Sequence, residues 1–274
     1  MVNALISVVI PCYLCSDTIE RAVESVWLQT WRPYEIILVE DFSPDKDATG
    51  NMLKQLKQKY PDGWIKLIFL PKNRGPGNAR NVGWHEATQK YVAFLDADDA
   101  WHPLKIEIQL GFMMKNEDAC LAGHRYRIVK KSGIDEHCQI DAVKTGDIIR
   151  ITGKKVLMSN MLATSSVMLK KDIPYRFDNT KYYSEDYLLW LEIILNGGAA
   201  FLLCRPLYYI FPHGQKQNKG LSTRLKKMEK GEIETYRALY HKGLISFYVM
   251  IFLIILSYIK YTKRLFMRII SFLI

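Results

Sequence analysis

Short apolar runs alternate with segments of helical periodicity through the first hundred residues. Ser7-Val-Val-Ile-Pro11 reads as a strand closed by a proline. Asp17-Thr-Ile-Glu20 follows the spacing of a capping box with Asp in the Ser/Thr position, so a helix is expected to start there. Ile19, Ala22, Val23, Val26 and Trp27 then fall on one face at i, i+3, i+4, i+7 and i+8. Glu35–Glu40 is a second strand, Asn51–Tyr60 a polar helix, Lys66–Leu70 a third strand, Gly77–Thr88 a helix and Tyr91–Leu95 a fourth strand. Uninterrupted apolar strands separated by helices predict an α/β fold with a parallel sheet covered on both faces. Ligands of such sheets bind beyond the carboxyl ends of the strands. Here those ends carry Pro11-Cys-Tyr13, Glu40-Asp41 and Asp96-Ala-Asp98-Asp99.

From Ala119 to Pro212 the pattern is less regular, with strand-like pieces at Ser165–Leu169, Ala200–Leu203 and Leu207–Phe211 and one clear helix at Glu185–Leu195. A charged helix is expected over Ser222–Lys242. It leads into the apolar run Leu244–Ile259 and a final stretch, Lys260–Ile274, that mixes basic and apolar residues. Charge sharpens this picture. The chain has 274 residues and a formal net charge of +10. Residues 205–274 hold 13 Lys+Arg against 3 Glu, which accounts for all of it. A basic segment around an apolar run points to an anionic membrane surface rather than nucleic acid. Sixteen apolar residues span about 24 Å as a helix, short of the roughly 30 Å hydrocarbon core, so the segment is expected to lie on or dip into a leaflet, with a single short span as the alternative. With 49% hydrophobic and 24% charged residues the chain reads as globular rather than disordered. Five scattered cysteines and no export signal suggest reduced thiols in the cytosol, and Cys12-x-x-Cys15 reads as two ordinary thiols.

Asp96-Ala-Asp98 is the strongest local signal for chemistry. In extended backbone the two carboxylates would share a face, where a divalent cation would relieve their repulsion and hold a diphosphate. The other reading is an acidic turn ahead of a helix near Pro103. Asp186 opens the apolar helix and is either its N-cap or a general base on a rigid helix end. Asn73-Arg-Gly-Pro-Gly-Asn-Ala-Arg80 sets glycines before a helix start with an arginine one turn inside, a phosphate-friendly arrangement. No Gly-x-Gly-x-x-Gly or Gly-x-x-x-x-Gly-Lys-Ser/Thr occurs, which removes the main support for dinucleotide oxidoreductase and P-loop readings.

Ser7–Tyr13, Leu38–Ser43, Gly75–Gly83, Phe94–Asp99 and Ser184–Asp186 come in the order that resembles inverting glycosyltransferases of family 2, of the bacterial surface-polysaccharide type. The resemblance covers about residues 5–220. It implies the glycosyltransferase-A fold, Rossmann-like and mostly parallel, over residues 1–220, with a nucleotide-binding half (1–100), an acceptor half (101–220) and a helical membrane-associating tail (221–274). It assigns Pro11, Tyr13, Asp41, Arg80, Asp96 and Ala97 to the nucleotide, with Tyr13 against the base, Asp41 on the uracil and Arg80 near the base or phosphates. Asp98 would bind Mn²⁺ or Mg²⁺, with Asp96 and His213 as further candidates, and Asp186 would be the base. Glu40 stands where Asp is commoner, and Phe42 where small or polar residues are usual. The implied partners are a nucleotide-sugar, most readily a UDP-sugar, a saccharide or lipid-linked acceptor and the inner face of the cytoplasmic membrane, with no nucleic acid. A polyprenyl-phosphate sugar transferase and a non-catalytic sugar-nucleotide or membrane scaffold are the rival expectations.

Overall fold

The computed structural model describes residues 2–129, 148–211 and 224–273. Strands β1 (Val2–Cys12), β2 (Trp31–Glu40), β3 (Ile65–Phe69) and β4 (Tyr91–Phe94) alternate with helices α1 (Ile19–Trp27), α2 (Ala48–Lys59) and α3 (Pro76–Glu86). The strands lie in the order β3-β2-β1-β4, and every neighbouring pair is parallel. Their side chains alternate between two cores. Ile36 and Leu38 of β2 join the layer under α1 and α2, while Ile37 and Val39 join the layer under α3. Both faces are therefore dry, which is why these strands read as unbroken apolar runs.

The second half comprises β5 (Asp99–Trp101), α4 (Lys105–Lys115), β6 (Ala119–Ile128), β7 (Ile148–Ile151), α5 (Gly153–Met158), β8 (Met168–Lys170), α6 (Glu185–Leu195) and β9 (Ala199–Ile210). A 3₁₀ turn at Thr164–Ser166 precedes β8. The sheet continues β4-β8-β6-β9-β5, with β7 also on β9. The parallel pattern expected of the first hundred residues holds in the first four strands, and β6 and β9 are parallel as well. β8 is antiparallel to β4 and β6, and β5 and β7 are antiparallel to β9. Two strand-like pieces of the sequence fuse into the single twelve-residue β9.

Two further expectations change. The capping box ahead of α1 does not form. The Thr18 side chain makes no capping bond, the carbonyl of Cys15 accepts from the N–H groups of Thr18 and Ile19, and Glu20 pairs with Lys59 at 2.8 Å. A tertiary ion pair has taken the side chain that a capping box needs. At the other end, the apolar run and the final stretch form one helix. α7 (Leu225–His241) leads into α8 (Phe247–Leu273), 27 residues long. Met250, Leu253 and Ser257 of α8 are buried. The Ser257 hydroxyl donates to Glu229 of α7 at 2.9 Å, and Arg264 pairs with Glu229 and Glu232 at 3.6 and 3.8 Å. Among the described residues no helix is long and apolar enough to cross a membrane.

Gly83 lets α3 lie directly on the sheet. A Cβ there would meet Val9 Cγ1 at 2.4 Å. Gly83→Ala is expected to cost about 1–3 kcal/mol by overpacking, read as a lower urea midpoint at unchanged slope.

Candidate active site

One side of the crevice is built where β1 and β2 end. The Asp41 N–H donates to the Cys12 carbonyl at 2.9 Å, which ties the two strand ends together. The Asp41 carboxylate accepts from the backbone N–H groups of Arg74 (2.9 Å) and Gly75 (2.8 Å), so it folds the loop ahead of α3 over the crevice. Burial raises the pKa of Asp41 above the usual carboxylate range, and the two N–H bonds pull against it. Gly75 has φ +86°, and a Cβ there would lie 2.7 Å from the Tyr182 ring. Tyr182 in turn donates to Asn73 Oδ1 at 3.3 Å. Glu40 accepts from the N–H groups of Phe42 and Ser43 at 3.0 and 2.7 Å, holding Phe42 at φ +56°. The longer acid at position 40 thus fastens a turn and leaves Phe42 exposed beside exposed Tyr13 and Tyr182.

Arg80 forms the centre of the site. Only 4% exposed, it donates through one Nη to Asp96 Oδ1 at 2.7 Å and through the other to Glu185 Oε1 at 2.9 Å. Burial disfavours its charge, but the two carboxylates more than offset that and hold its pKa above the ordinary value. Phe177 lies 5.5 Å from the guanidinium. Gly77 is required here too, since a Cβ would stand 3.0 Å from Glu185 Cγ. With each Nη atom donating to a carboxylate, Arg80 braces the crevice from within.

Asp186 follows at the second position of α6. Its Oδ2 accepts from the Thr164 hydroxyl at 2.9 Å and its Oδ1 from the Tyr187 N–H at 2.7 Å. The residue in the cap position is Ser184, at φ +57°. Asp186 is half-buried, and burial raises its pKa against the pull of Arg80. Burial and then the neighbouring Asp186 carboxylate push Glu185 up to about 7, again against Arg80.

The Asp96–Asp99 segment is a turn rather than extended chain. The Asp99 N–H donates to the Asp96 carbonyl at 3.1 Å, and β5 starts at once. Strand alternation therefore does not align Asp96 with Asp98. Arg21 anchors the turn by donating to the Asp98 carbonyl at 2.6 Å, its guanidinium stacked 3.9 Å from the Phe211 ring. The Ser165 hydroxyl donates to Asp99 and accepts from the Asp96 N–H at 2.7 and 3.1 Å. Burial and then the carboxylates of Asp96 and Asp98 push Asp99 up to about 8, against the pull of the Ser165 hydroxyl and of Arg21. Among the described residues no group of three or more His, Cys, Asp or Glu is arranged to hold a metal ion by itself.

One hydrogen-bonded network thus joins Arg80, Asp96 and Glu185 and continues through Ser165 to Asp99. Asp186 follows Glu185 in α6, Ala97 and Asp98 lie in the turn, and Pro11 sits at the β1 end paired with Val39. His213 lies outside the described residues. Glu185, Thr164, Ser165, Asn73 and Tyr182 carry structural work in the site that sequence reasoning did not assign. Only Glu185 had a signal, as the acid beside Asp186.

A parallel sheet ending at Asp41 and an acidic turn, facing a helix that opens on two acids, is an arrangement of the glycosyltransferase-A fold. Residues 7–178 match glycosyl transferase family 2, and the chain belongs to that family. Among its relatives, the Escherichia coli UDP-Glc:alpha-D-GlcNAc-diphosphoundecaprenol beta-1,3-glucosyltransferase WfgD is 28% identical over 74% of this chain and 75% of its own. The corresponding E. coli enzyme WfaP is 32% identical over 70% of this chain and 71% of its own. The putative teichuronic acid biosynthesis glycosyltransferase TuaG of Bacillus subtilis is 29% identical over 78% of this chain and 82% of its own. In fold, S. aureus TarS 1-349 in complex with UDP-GlcNAc superposes with a TM-score of 0.65 at 18% identity, over 86% of this chain and 66% of that one. The mannosyltransferase PcManGT of Pyrobaculum calidifontis, in complex with GDP-Man and Mn²⁺, gives 0.64 at 14% identity, over 87% and 65%. This chain spans 39% of the longer TarS structure.

Removing Arg80 leaves Glu185 and Asp96 without their shared cation. Arg80→Met is expected to lower stability by about 3–5 kcal/mol near pH 8. With Glu185 titrating at about 7, the loss should shrink as the pH falls through 7 toward 5, because a protonated acid needs no partner. Urea unfolding at both pH values checks magnitude and sign.

Proposed function

We propose that this family 2 glycosyltransferase moves a hexosyl or N-acetylhexosaminyl group from a UDP-sugar to a hydroxyl of a lipid-linked saccharide, with inversion at the anomeric carbon. The observation that carries the reading is Asp186. Its carboxylate is held on both oxygens and raised in pKa, and it stands in α6 next to the acid that Arg80 bonds in common with donor-side Asp96. The loop folded by Asp41, together with exposed Tyr13 and Tyr182, offers surfaces on which a flat base would stack. The names of WfgD and WfaP support a UDP-sugar donor and a diphosphate-linked lipid acceptor, and the UDP-GlcNAc complex of a structural neighbour supports the same donor class.

In the proposed reaction Asp186 takes the proton of the acceptor hydroxyl. The oxygen attacks the anomeric carbon from the face opposite the diphosphate, the carbon–oxygen bond to the diphosphate breaks, and the nucleoside diphosphate leaves with the electron pair. Thr164 and the Tyr187 N–H keep the carboxylate aimed, and Arg80 keeps Asp96 and α6 at a fixed spacing. Carboxylate oxygens on the Asp96–Asp99 turn suit Mg²⁺ or Mn²⁺, which Asp98 would hold, with Asp96 as a further candidate. Such an ion supplies charge neutralisation to the leaving diphosphate. We place the enzyme at the cytoplasmic face of the inner membrane. There α8 would lie in the leaflet surface through Tyr248, Ile251, Phe252, Ile255, Ile259 and Phe266, which share one exposed face.

Two measurements test this. Asp186→Asn should lower UDP-sugar turnover by about 10²–10⁴-fold while leaving UDP affinity unchanged, and substantial residual turnover would remove Asp186 from the base role. Calorimetric titration of UDP should show binding strengthened by Mn²⁺, with the Mn²⁺ effect lost in Asp98→Ala.

A further inference from the structure

We infer that the seam between α5 and α8 seats the diphosphate end of a polyprenyl carrier and so presents the carried sugar to Asp186. The inference rests on the transferase reading above and adds to it the residues that receive the lipid.

A helix as short as α5 leaves its last carbonyls without partners of its own. Those carbonyls are taken up from two sides. The Tyr187 hydroxyl donates to the carbonyls of Val156 and Leu157 at 2.7 and 3.0 Å, and the Lys260 ammonium of α8 donates to the carbonyl of Met158. The end of α5 is thereby fastened both to the residue after Asp186 and to the helix that exposes the apolar face. Six residues beyond Met158, Thr164 grips Asp186 itself. The stretch between them is a short path from α8 to the base, with Met158, Ser159 and Asn160 exposed and Leu162 anchored in the core.

The charges along this path have one sign. Residues 152–164 carry Lys154 and Lys155 and no acid, and residues 247–267 of α8 carry Lys260, Lys263 and Arg264 and no acid. Lys154, Lys155 and Lys263 are exposed, while the acids that face α8 from α7, Glu229 and Glu232, pair with Arg264. A cationic patch bordered by an apolar helix face and leading to a general base matches a ligand with a diphosphate at the end of a long apolar chain. A free anion would have no use for the apolar border, and an apolar partner alone would have none for the unopposed lysines.

The test is co-flotation of the full chain with phosphatidylglycerol/phosphatidylethanolamine vesicles, with and without a few mole per cent of undecaprenyl diphosphate. The diphosphate lipid should tighten binding about fivefold or more, the equivalent of about one lysine engaged at an anionic surface. Lys154→Gln with Lys155→Gln should bring that ratio to one, whereas Phe252→Glu with Ile255→Glu should weaken binding to both kinds of vesicle. A ratio of one for the unaltered protein, or a ratio retained in the lysine variant, would overturn the proposal. So would inorganic diphosphate binding in calorimetry as tightly as the lipid, which would assign the patch to a free anion. UDP titration of the same preparations verifies folding and reads the donor site by itself, so a failed transferase reading is distinguishable from a failed carrier site.

Discussion

The guanidinium of Arg80 is almost wholly withdrawn from water, and a charge so placed persists only where opposite charges and hydrogen bonds meet it. Asp96 meets it from just beyond the end of β4 and Glu185 from the start of α6, two positions 89 residues apart in the chain. The Glu185 carboxylate alone would be an unfavourable burial, whereas Asp96 keeps contact with water. Together with the arginine they form a three-charge unit that must be assembled all at once. The start of α3 has to approach closely for this, which explains the missing side chain at Gly77. Because the unit spans the turn after β4 and the helix that carries Asp186, the two sides of the crevice cannot drift apart without uncovering buried charge.

Behind α6 the C-terminal helices continue the same bracing. Lys181 donates to the carbonyl of Gly231 at 2.9 Å, and that glycine lets α7 come against the Tyr183 backbone, immediately ahead of Ser184 and Glu185. α8 then fastens to α7 through Ser257 and Arg264. The basic C-terminal region, separable in sequence by its charge, is in space a second layer behind the segment that orients Asp186. Its buried face serves the fold, and its exposed face of aromatic and aliphatic residues is left for an outside surface. One helix meeting both needs explains why its composition is apolar almost all round at its start and basic toward its end.

Much of this was legible along the chain. The strands of the first half announce themselves because a sheet covered on both faces demands apolar residues at every position, and Val8, Val9, Ile36 and Ile37 satisfy that demand whichever face they take. Asp41, the Asp96–Asp99 segment and Asp186 stood out for a related reason, as acids placed directly after an apolar strand or at the head of an apolar helix. The antiparallel half was not legible. β5 and β8 are three residues each, too short for any period to register, and they are strands only because β9 and β4 offer them partners. The capping box failed for a similar reason, since Glu20 is claimed by Lys59, 39 residues away.

The chain by itself determined which segments are strands and helices in the first half, which acids stand at their ends, and that the last 70 residues carry the excess charge. Those properties are local, set by side-chain period and by position relative to an apolar run. Only the tertiary structure decided what the charges do. That Arg80 is a brace is visible only in the fold, because this role depends on burial and on two partners contributed by other elements. Asp96 and Asp98 look aligned in an extended strand and are set instead by a turn that Arg21 and Ser165 hold. Electrostatic roles depend on desolvation and on distances between remote residues, and neither quantity is written in the order of residues along a chain.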